Sequence, residues 1–171
     1  MADTENTITF KGNPLTLVGR GPKVGEPAPD FEVLSNDMSP LKLSAFQGKV
    51  RVICSVPSLD TPVCDTEVRK FNEQAVSLGD DVVVLVISMD LPFAQQRWCG
   101  AAGVKNLQTL SDHRSAEFGS AYGVLIKQLR LLARAVFIVD KKGVIRYRQL
   151  VDELTNEPDY EAALKAVREI E

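Results

Sequence analysis

Two short apolar segments, at 50–56 and 82–88, constrain the fold more than any other feature of this sequence. Both are rich in β-branched residues and are bounded by turn-forming residues, which is typical of strands buried on both faces. Between them, residues 62–78 carry apolar side chains at helical spacing, namely Val68, Phe71, Ala75 and Leu78. The order of buried strand, helix and buried strand predicts a parallel sheet with helices on both faces.

The remaining segments extend this α/β plan. Residues 7–19 alternate apolar and polar side chains around a Gly-Asn-Pro turn, which predicts an N-terminal β-hairpin. A helix is predicted from 92 to 99, ending at a glycine, then a short strand at 107–110 and a helix at 115–122. Near the C-terminus, two apolar runs flank a Lys-Lys-Gly turn and an amphipathic helix follows. We therefore expect a thioredoxin-like fold, with a central mixed sheet flanked by helices.

Composition limits the class of protein. The 171 residues suit one domain, 1–171, and the 44% hydrophobic and 25% charged residues are typical of a globular chain. A net charge of −3, with both signs scattered along the chain, disfavours binding to nucleic acid. No run approaches the roughly 18 apolar residues of a membrane span. The polar N-terminus lacks the pattern of a secretory signal, so we expect a cytoplasmic protein without membrane contact.

The chain has three cysteines, Cys54, Cys64 and Cys99, too few for a disulfide scaffold. No two of them have the two-residue spacing of a zinc knuckle or a thioredoxin-type redox motif, and the single histidine makes a zinc site unexpected. Cys54 falls in a predicted buried strand. We expect it to act as a small apolar side chain, with a second resolving or regulatory thiol as the alternative.

The segment 56–64, VPSLDTPVC, places a thiol at the start of a predicted helix. Thr61 and Pro62 match the preferences for the N-cap and the first helical position, so Cys64 takes the third position. The unpaired N–H groups of the first turn and the helix dipole stabilise an anion there, which favours a thiolate. The alternative is a small apolar residue that fills the first turn.

Arg134 lies in an otherwise apolar predicted strand, on the face shared with Val136 and Ile138. An arginine at such a position needs either an anionic partner or a route to solvent for its guanidinium. In the first interpretation, the guanidinium points at the Cys64 thiolate and at a bound oxygen ligand. Sequence spacing leaves both interpretations open.

Several motifs, in this order, resemble those of the bacterial thiol peroxidases, the atypical two-cysteine peroxiredoxins of thioredoxin fold. They include VGEPAPDF, PSLDTPVC, RWCG, LSDHR and LLARAVFIVD, and the resemblance covers nearly the whole chain. It implies that Cys64 is the peroxidatic cysteine, which becomes a sulfenic acid, and that Cys99 resolves it as an intramolecular disulfide. It also implies that the Thr61 hydroxyl binds the thiolate and the peroxide, that Pro57 shields the site, and that Arg134 activates the thiol and orients the peroxide.

The resemblance further implies a set of partners. Thioredoxin would be the reductant, hydrogen peroxide and alkyl hydroperoxides the substrates, and a homodimer the usual assembly, with no metal, haem or flavin. Pro62 stands where many thiol peroxidases have glycine, and it suits the first helical position.

Formation of the implied disulfide requires movement. Cys64 and Cys99 are 35 residues apart and lie on two predicted helices, whereas a disulfide needs Cα atoms within about 7 Å. We therefore predict local unwinding around both cysteines, reported by Trp98, the only tryptophan. Two other functions stay open: a thiol-disulfide oxidoreductase, disfavoured because Cys-x-x-Cys is absent, and a redox sensor that uses the same cysteine pair without rapid turnover.

Overall fold

The computed structural model describes residues 6–170, which form a seven-stranded sheet, a smaller three-stranded sheet and four α-helices. In chain order, the elements are β1 (Thr7–Phe10), β2 (Asn13–Val18), β3 (Glu32–Leu34), β4 (Pro40–Lys42), β5 (Val50–Ser55), α1 (Pro62–Ala75), β6 (Val82–Ser88), α2 (Pro92–Ala102), β7 (Gln108–Ser111), α3 (Glu117–Ala121), β8 (Leu125–Ile126), β9 (Ala135–Val139), β10 (Ile145–Leu150) and α4 (Tyr160–Ile170). Short 3₁₀ turns at Leu43–Phe46 and Val76–Leu78 complete the regular structure of this part of the chain.

The large sheet is mixed, as predicted. Its strand order is β10-β9-β5-β6-β7-β3-β4. Strands β5, β6 and β7 are parallel to one another, whereas β9 runs antiparallel to β5 and β10 antiparallel to β9. Strands β3 and β4 were not predicted, and they extend the sheet beyond β7 as an antiparallel pair. The two apolar segments of the sequence, which form β5 and β6, therefore lie in the centre of the sheet, where both faces are covered.

Alternate residues of the central strands build two cores. One set faces α1 and α4 and includes Val52, Cys54, Val84, Val136 and Ile138. The other set packs with α3 and the N-terminal hairpin around an aromatic cluster of Phe31, Phe118, Tyr122 and Phe137. No helix within residues 6–170 combines the length and the hydropathy that crossing a membrane requires.

The N-terminal hairpin forms as predicted, but its turn is at a different place. Phe10 pairs with Asn13, so the turn residues are Lys11 and Gly12, both with positive φ (50° and 81°). Such a two-residue turn matches the twist of a hairpin, and glycine adopts its left-handed backbone easily. The Gly-Asn-Pro prediction was therefore one step too late, and Pro14 lies inside β2.

Two helix boundaries also differ from the prediction. Helix α2 continues through Gly100 to Ala102. Gly103 caps it, with a φ of 68° that gives the left-handed conformation commonly found at the end of a helix. Gly100 is helical because a glycine inside a helix costs only about 1 kcal/mol, which tertiary packing can offset. Helix α3 begins at Glu117 rather than 115, because Ala116 has a φ of 53° and cannot be part of the helix.

Candidate functional site

Cys64 lies in the first turn of α1, directly after the loop that leaves the carboxyl end of β5. Thr61 is the N-cap residue, with extended backbone angles (φ −96°, ψ 146°), and Pro62 opens the helix. Cys64 is therefore the third helical residue, as predicted, and it is fully buried in a cluster with Val56 and Leu59. Since the first N–H groups of a helix lack intrahelical partners, this position favours negative charge on the sulfur.

The Thr61 side chain makes a different contact from the expected ones. Its hydroxyl donates to the carbonyl oxygen of Ser58 (2.9 Å) and does not cap the helix. The predicted hydrogen bond from Thr61 to the thiol is not formed in this conformation. The hydroxyl oxygen keeps its lone pairs free to accept, and its proton could turn to a ligand only by leaving Ser58.

The loop before α1 is held by an acidic residue that the sequence analysis missed. Asp90, just beyond β6, accepts from the Ser58 hydroxyl (2.7 Å) and from the Leu59 backbone N–H (2.8 Å). Pro57 lies in the same loop and is buried. Asp90 thereby ties the loop to the neighbouring strand and fixes the start of α1.

Arg134 immediately precedes β9 and reaches the sulfur from the sheet. Its Nη1 lies 3.3 Å from Cys64 Sγ and 2.6 Å from the carboxylate of Glu67, while Nε and Nη2 donate to the Leu154 carbonyl (3.3 and 3.0 Å). The side chain is 2% exposed, so these partners take the place of water. The structure thus brings Arg134 and Cys64 together, which sequence spacing alone left open.

Glu67 is the second site residue that the sequence analysis missed. It lies one turn after Cys64 on α1, is fully buried and forms an ion pair with Arg134. Burial raises the pKa of Glu67 to about 7, although the positive Arg134 opposes this shift. Its spacing from Cys64 was a usable signal, because residues three apart share a helix face, and this face is otherwise apolar.

The charges at this site centre on one cation. Burial alone would lower the pKa of Arg134, but attraction from Cys64 and Glu67 outweighs it and keeps the guanidinium charged. The same nitrogen serves the sulfur and the carboxylate, so two acidic groups share one positive charge. This arrangement can hold a thiolate in an apolar core, and it presents N–H groups toward negative charge that develops beside the sulfur.

The N-terminal hairpin supports Arg134 indirectly. Leu154, whose carbonyl accepts from Arg134, donates its own N–H to the carbonyl of Thr9 in β1 (2.8 Å). Beside it, the Glu153 carboxylate accepts from the backbone N–H of Gly12 (2.9 Å) and from Thr155. The hairpin therefore fixes the carbonyl that orients the guanidinium.

Cys99 lies on α2, and its sulfur contacts β7 rather than the Arg134 guanidinium. Its sulfur is 3.3 Å from the Thr109 hydroxyl, which donates to the Asn36 amide oxygen (3.1 Å). The half-buried side chain lines a surface cleft of about 400 Å³. Thr109 belongs to β7 and Arg134 adjoins β9. Two strands lie between them, so the backbones of β7 and β9 are roughly 14 Å apart across the sheet.

All three cysteines are free thiols, and Cys54 differs from the other two. It is fully buried on β5, and burial, followed by the nearby Glu67 charge, raises the pKa of its thiol well above the usual value. This environment opposes a thiolate and supports a packing role. Within residues 6–170, no cluster of three or more His, Cys, Asp or Glu side chains has the geometry of a metal site.

Comparison with known proteins finds a matching family model and similar curated proteins. The family model described as Redoxin matches residues 23–164. A thiol peroxidase of Halalkalibacterium halodurans is 57% identical over 162 residues, which cover 95% of this chain and 97% of that protein. A thiol peroxidase of Bacillus subtilis is 55% identical over 161 residues, covering 94% of this chain and 96% of that protein.

Solved structures give the same result for the fold. The crystal structure of a peroxiredoxin-like protein from Aquifex aeolicus is 46% identical, with a TM-score of 0.91 over 96% of this chain and 97% of that one. A thiol peroxidase from Chromobacterium violaceum has a TM-score of 0.85 over 95% of each chain, at 22% identity. The second likeness is evidence of the fold alone.

Proposed function

Because this chain belongs to the redoxin family and is a peroxiredoxin-type enzyme, we propose that Cys64 is its peroxidatic thiolate and that Cys99 is the resolving thiol. The observation that carries the proposal is the 3.3 Å contact between Arg134 Nη1 and Cys64 Sγ inside a buried pocket. A guanidinium at this distance, away from water, stabilises a thiolate far more than it would in solvent.

The first step is attack of the Cys64 thiolate on one oxygen of the peroxide. A bond forms between the sulfur and the terminal peroxide oxygen, and the O–O bond breaks. The other oxygen takes up the proton that the thiol released on ionising and leaves as water or an alcohol. The positive charge of Arg134 stabilises first the thiolate and then the negative charge that develops on the leaving oxygen. Pro57 keeps bulk water from the sulfur, and the Thr61 hydroxyl turns from the Ser58 carbonyl to the bound peroxide.

The second step joins the two cysteines. The Cys99 thiol attacks the sulfenic sulfur of Cys64, an S–S bond forms, the S–O bond breaks, and water leaves. Because Arg134 and Thr109 hold the two sulfurs over separate strands, the first turn of α1 and the part of α2 around Cys99 must open for this step. Without it, a sulfenic acid proceeds to the irreversible sulfinic acid.

The remaining assignments complete the proposal. Hydrogen peroxide and alkyl hydroperoxides are the substrates, and thioredoxin reduces the Cys64–Cys99 disulfide. The enzyme acts as a homodimer in the cytoplasm. Regeneration by thioredoxin separates a peroxidase from a sensor, since a sensor needs only one oxidation per signal.

The test is a single-turnover experiment followed by multiple turnover. One equivalent of peroxide is added to the reduced protein, Trp98 fluorescence is followed by stopped flow, and the disulfide is mapped by mass spectrometry. We expect rapid loss of two thiols and a Cys64–Cys99 peptide, then continuous peroxide consumption with thioredoxin, thioredoxin reductase and NADPH. Cys64→Ser should abolish oxidation, and Cys99→Ser should stop at the sulfenic acid, with Cys54→Ser as the matched control. Slow oxidation at Cys64 contradicts the proposal, and one rapid turnover without regeneration favours the sensor.

A further inference from the structure

The residues next to the two proposed redox cysteines form a hydrogen bond with each other. Trp98, which precedes Cys99, donates its indole Nε1–H to Asp65 Oδ1 (2.9 Å), and Asp65 follows Cys64. Asp65 Oδ2 also accepts from Arg69 Nε (2.9 Å), and the Arg69 guanidinium lies 5.7 Å from the centre of the Trp98 ring. These three side chains, Asp65, Arg69 and Trp98, form an interhelix bridge between α1 and α2.

In this conformation the interhelix bridge is closed while the two cysteines contact different partners. Successive residues of an α-helix project about 100° apart, so a helix that directs Asp65 toward α2 directs Cys64 elsewhere. Cys64 faces Arg134, and Cys99 faces Thr109. Rotation or unwinding of either turn to join the sulfurs moves Asp65 or Trp98 and breaks their hydrogen bond.

The contacts of the bridge reinforce one another. The hydrogen bond from Arg69 is the main cause that holds the pKa of Asp65 below its usual range, so Trp98 donates to a charged carboxylate. Hydrogen bonds to charged groups are the stronger class. Arg69 also reaches the Ala102 carbonyl at the end of α2 (3.4 Å). The bridge thus fastens both ends of the segment that carries Cys99.

We propose that the interhelix bridge sets how readily the Cys64 sulfenic acid is resolved, because the bridge must open before Cys99 can attack. Asp65, Arg69 and Trp98 are positioning residues in this proposal, which rests on the proposed function. An intact bridge keeps the conformation in which peroxide reacts. Its strength therefore decides how much sulfenic acid becomes disulfide and how much is oxidised further.

The variant Trp98→Phe tests this, because it removes the indole N–H and keeps an aromatic ring beside Arg69. Loss of a partly exposed, charge-assisted hydrogen bond should accelerate disulfide formation by about threefold to tenfold. The peroxide dose that gives half-maximal sulfinic acid should rise by a similar factor, while the first oxidation keeps its rate. Acid quench and mass spectrometry measure all three quantities, since the variant has no tryptophan. Arg97→Ala, exposed on the same helix, is the control and should match the wild type.

A second measurement does not depend on peroxide. In the reduced proteins, amide hydrogen exchange at 64–67 and 97–101 should be faster in Trp98→Phe than in the wild type. Asp65→Asn, which keeps an oxygen acceptor without the charge, should shift both readouts in the same direction by less. If Trp98→Phe forms the disulfide no faster than the wild type, or if its amides exchange at the same rate, the proposed role of the interhelix bridge is overturned. A wild type that forms no Cys64–Cys99 disulfide instead overturns the proposed function.

Discussion

Replacement of Arg134 by lysine separates the geometry of the guanidinium from its charge. Three nitrogens of Arg134 serve three partners: the Cys64 sulfur, the Glu67 carboxylate and the Leu154 carbonyl. Lysine keeps the positive charge but carries it on a single ammonium at the end of a flexible stem. One ammonium cannot reach all three groups at once, and the closest anionic partner, Glu67, should retain it.

The expected loss follows from one bond. If the ammonium stays with Glu67, Cys64 loses a charge-assisted hydrogen bond, worth about 1.5–3 kcal/mol. In the transition state for peroxide attack, this corresponds to a rate about 10- to 150-fold lower. The second-order rate constant with hydrogen peroxide, taken from Trp98 fluorescence in stopped flow, measures the effect directly.

Arg51→Lys is the matched control. Arg51 is also a buried arginine, 3% exposed, and its Nη2 donates to the Asp140 carbonyl (2.8 Å). It lies at the start of β5, at the opposite end of the strand from the loop that leads to Cys64. Both variants should lower the free energy of unfolding, but only Arg134→Lys should slow peroxide reduction. A folded Arg134→Lys protein that reacts at the wild-type rate would refute the role assigned to the guanidinium.

Two further predictions concern residues outside the reaction. Cys54→Ser should keep the peroxide rate and the Cys64–Cys99 disulfide but lower the free energy of unfolding by about 1–3 kcal/mol, because a hydroxyl is buried in an apolar core; slower turnover would show that the thiol takes part. Hydrogen bonds from Thr155 and Gly12 lower the folded-state pKa of Glu153 to about 2, below the ordinary value of 4.5. Its stabilisation is therefore complete above pH 4.5 and is lost as the pH falls toward 2. In urea unfolding, the stability difference between wild type and Glu153→Gln should shrink over that window, and parallel pH profiles would contradict this.

The central part of the fold could be predicted because strands that are buried on both faces need apolar residues along their whole length. Strands β5 and β6 are covered on both faces, so most of their residues are apolar and β-branched, and the helix between them has apolar residues at helical spacing. Strands β3 and β4 are three residues each, and β4 begins with a proline. Their pairing depends on the neighbouring β7, a contact that no local pattern reveals.

In the candidate site, too, local features could be predicted and long-range contacts could not. The position of Cys64 at the start of α1 followed from local signals, Thr61 and Pro62. The contact with Arg134 joins residues 70 positions apart, so the sequence could supply only the anomaly of an arginine in an apolar strand. The Leu154 carbonyl had no signal at all, because any residue offers a backbone oxygen.

Cys54 and Cys64 are equally buried but differ in their electrostatic surroundings. Both are fully buried in the same apolar cluster and have no contact with solvent. Burial raises the pKa of the Cys54 thiol, and the negative Glu67 raises it further. Cys64 lies beside the same carboxylate, but it also has a helix N-terminus beneath it and the Arg134 guanidinium at 3.3 Å. These positive groups lie beside Cys64 and not beside Cys54, so we expect the proposed reactivity of Cys64 to depend on Arg134 being held in place.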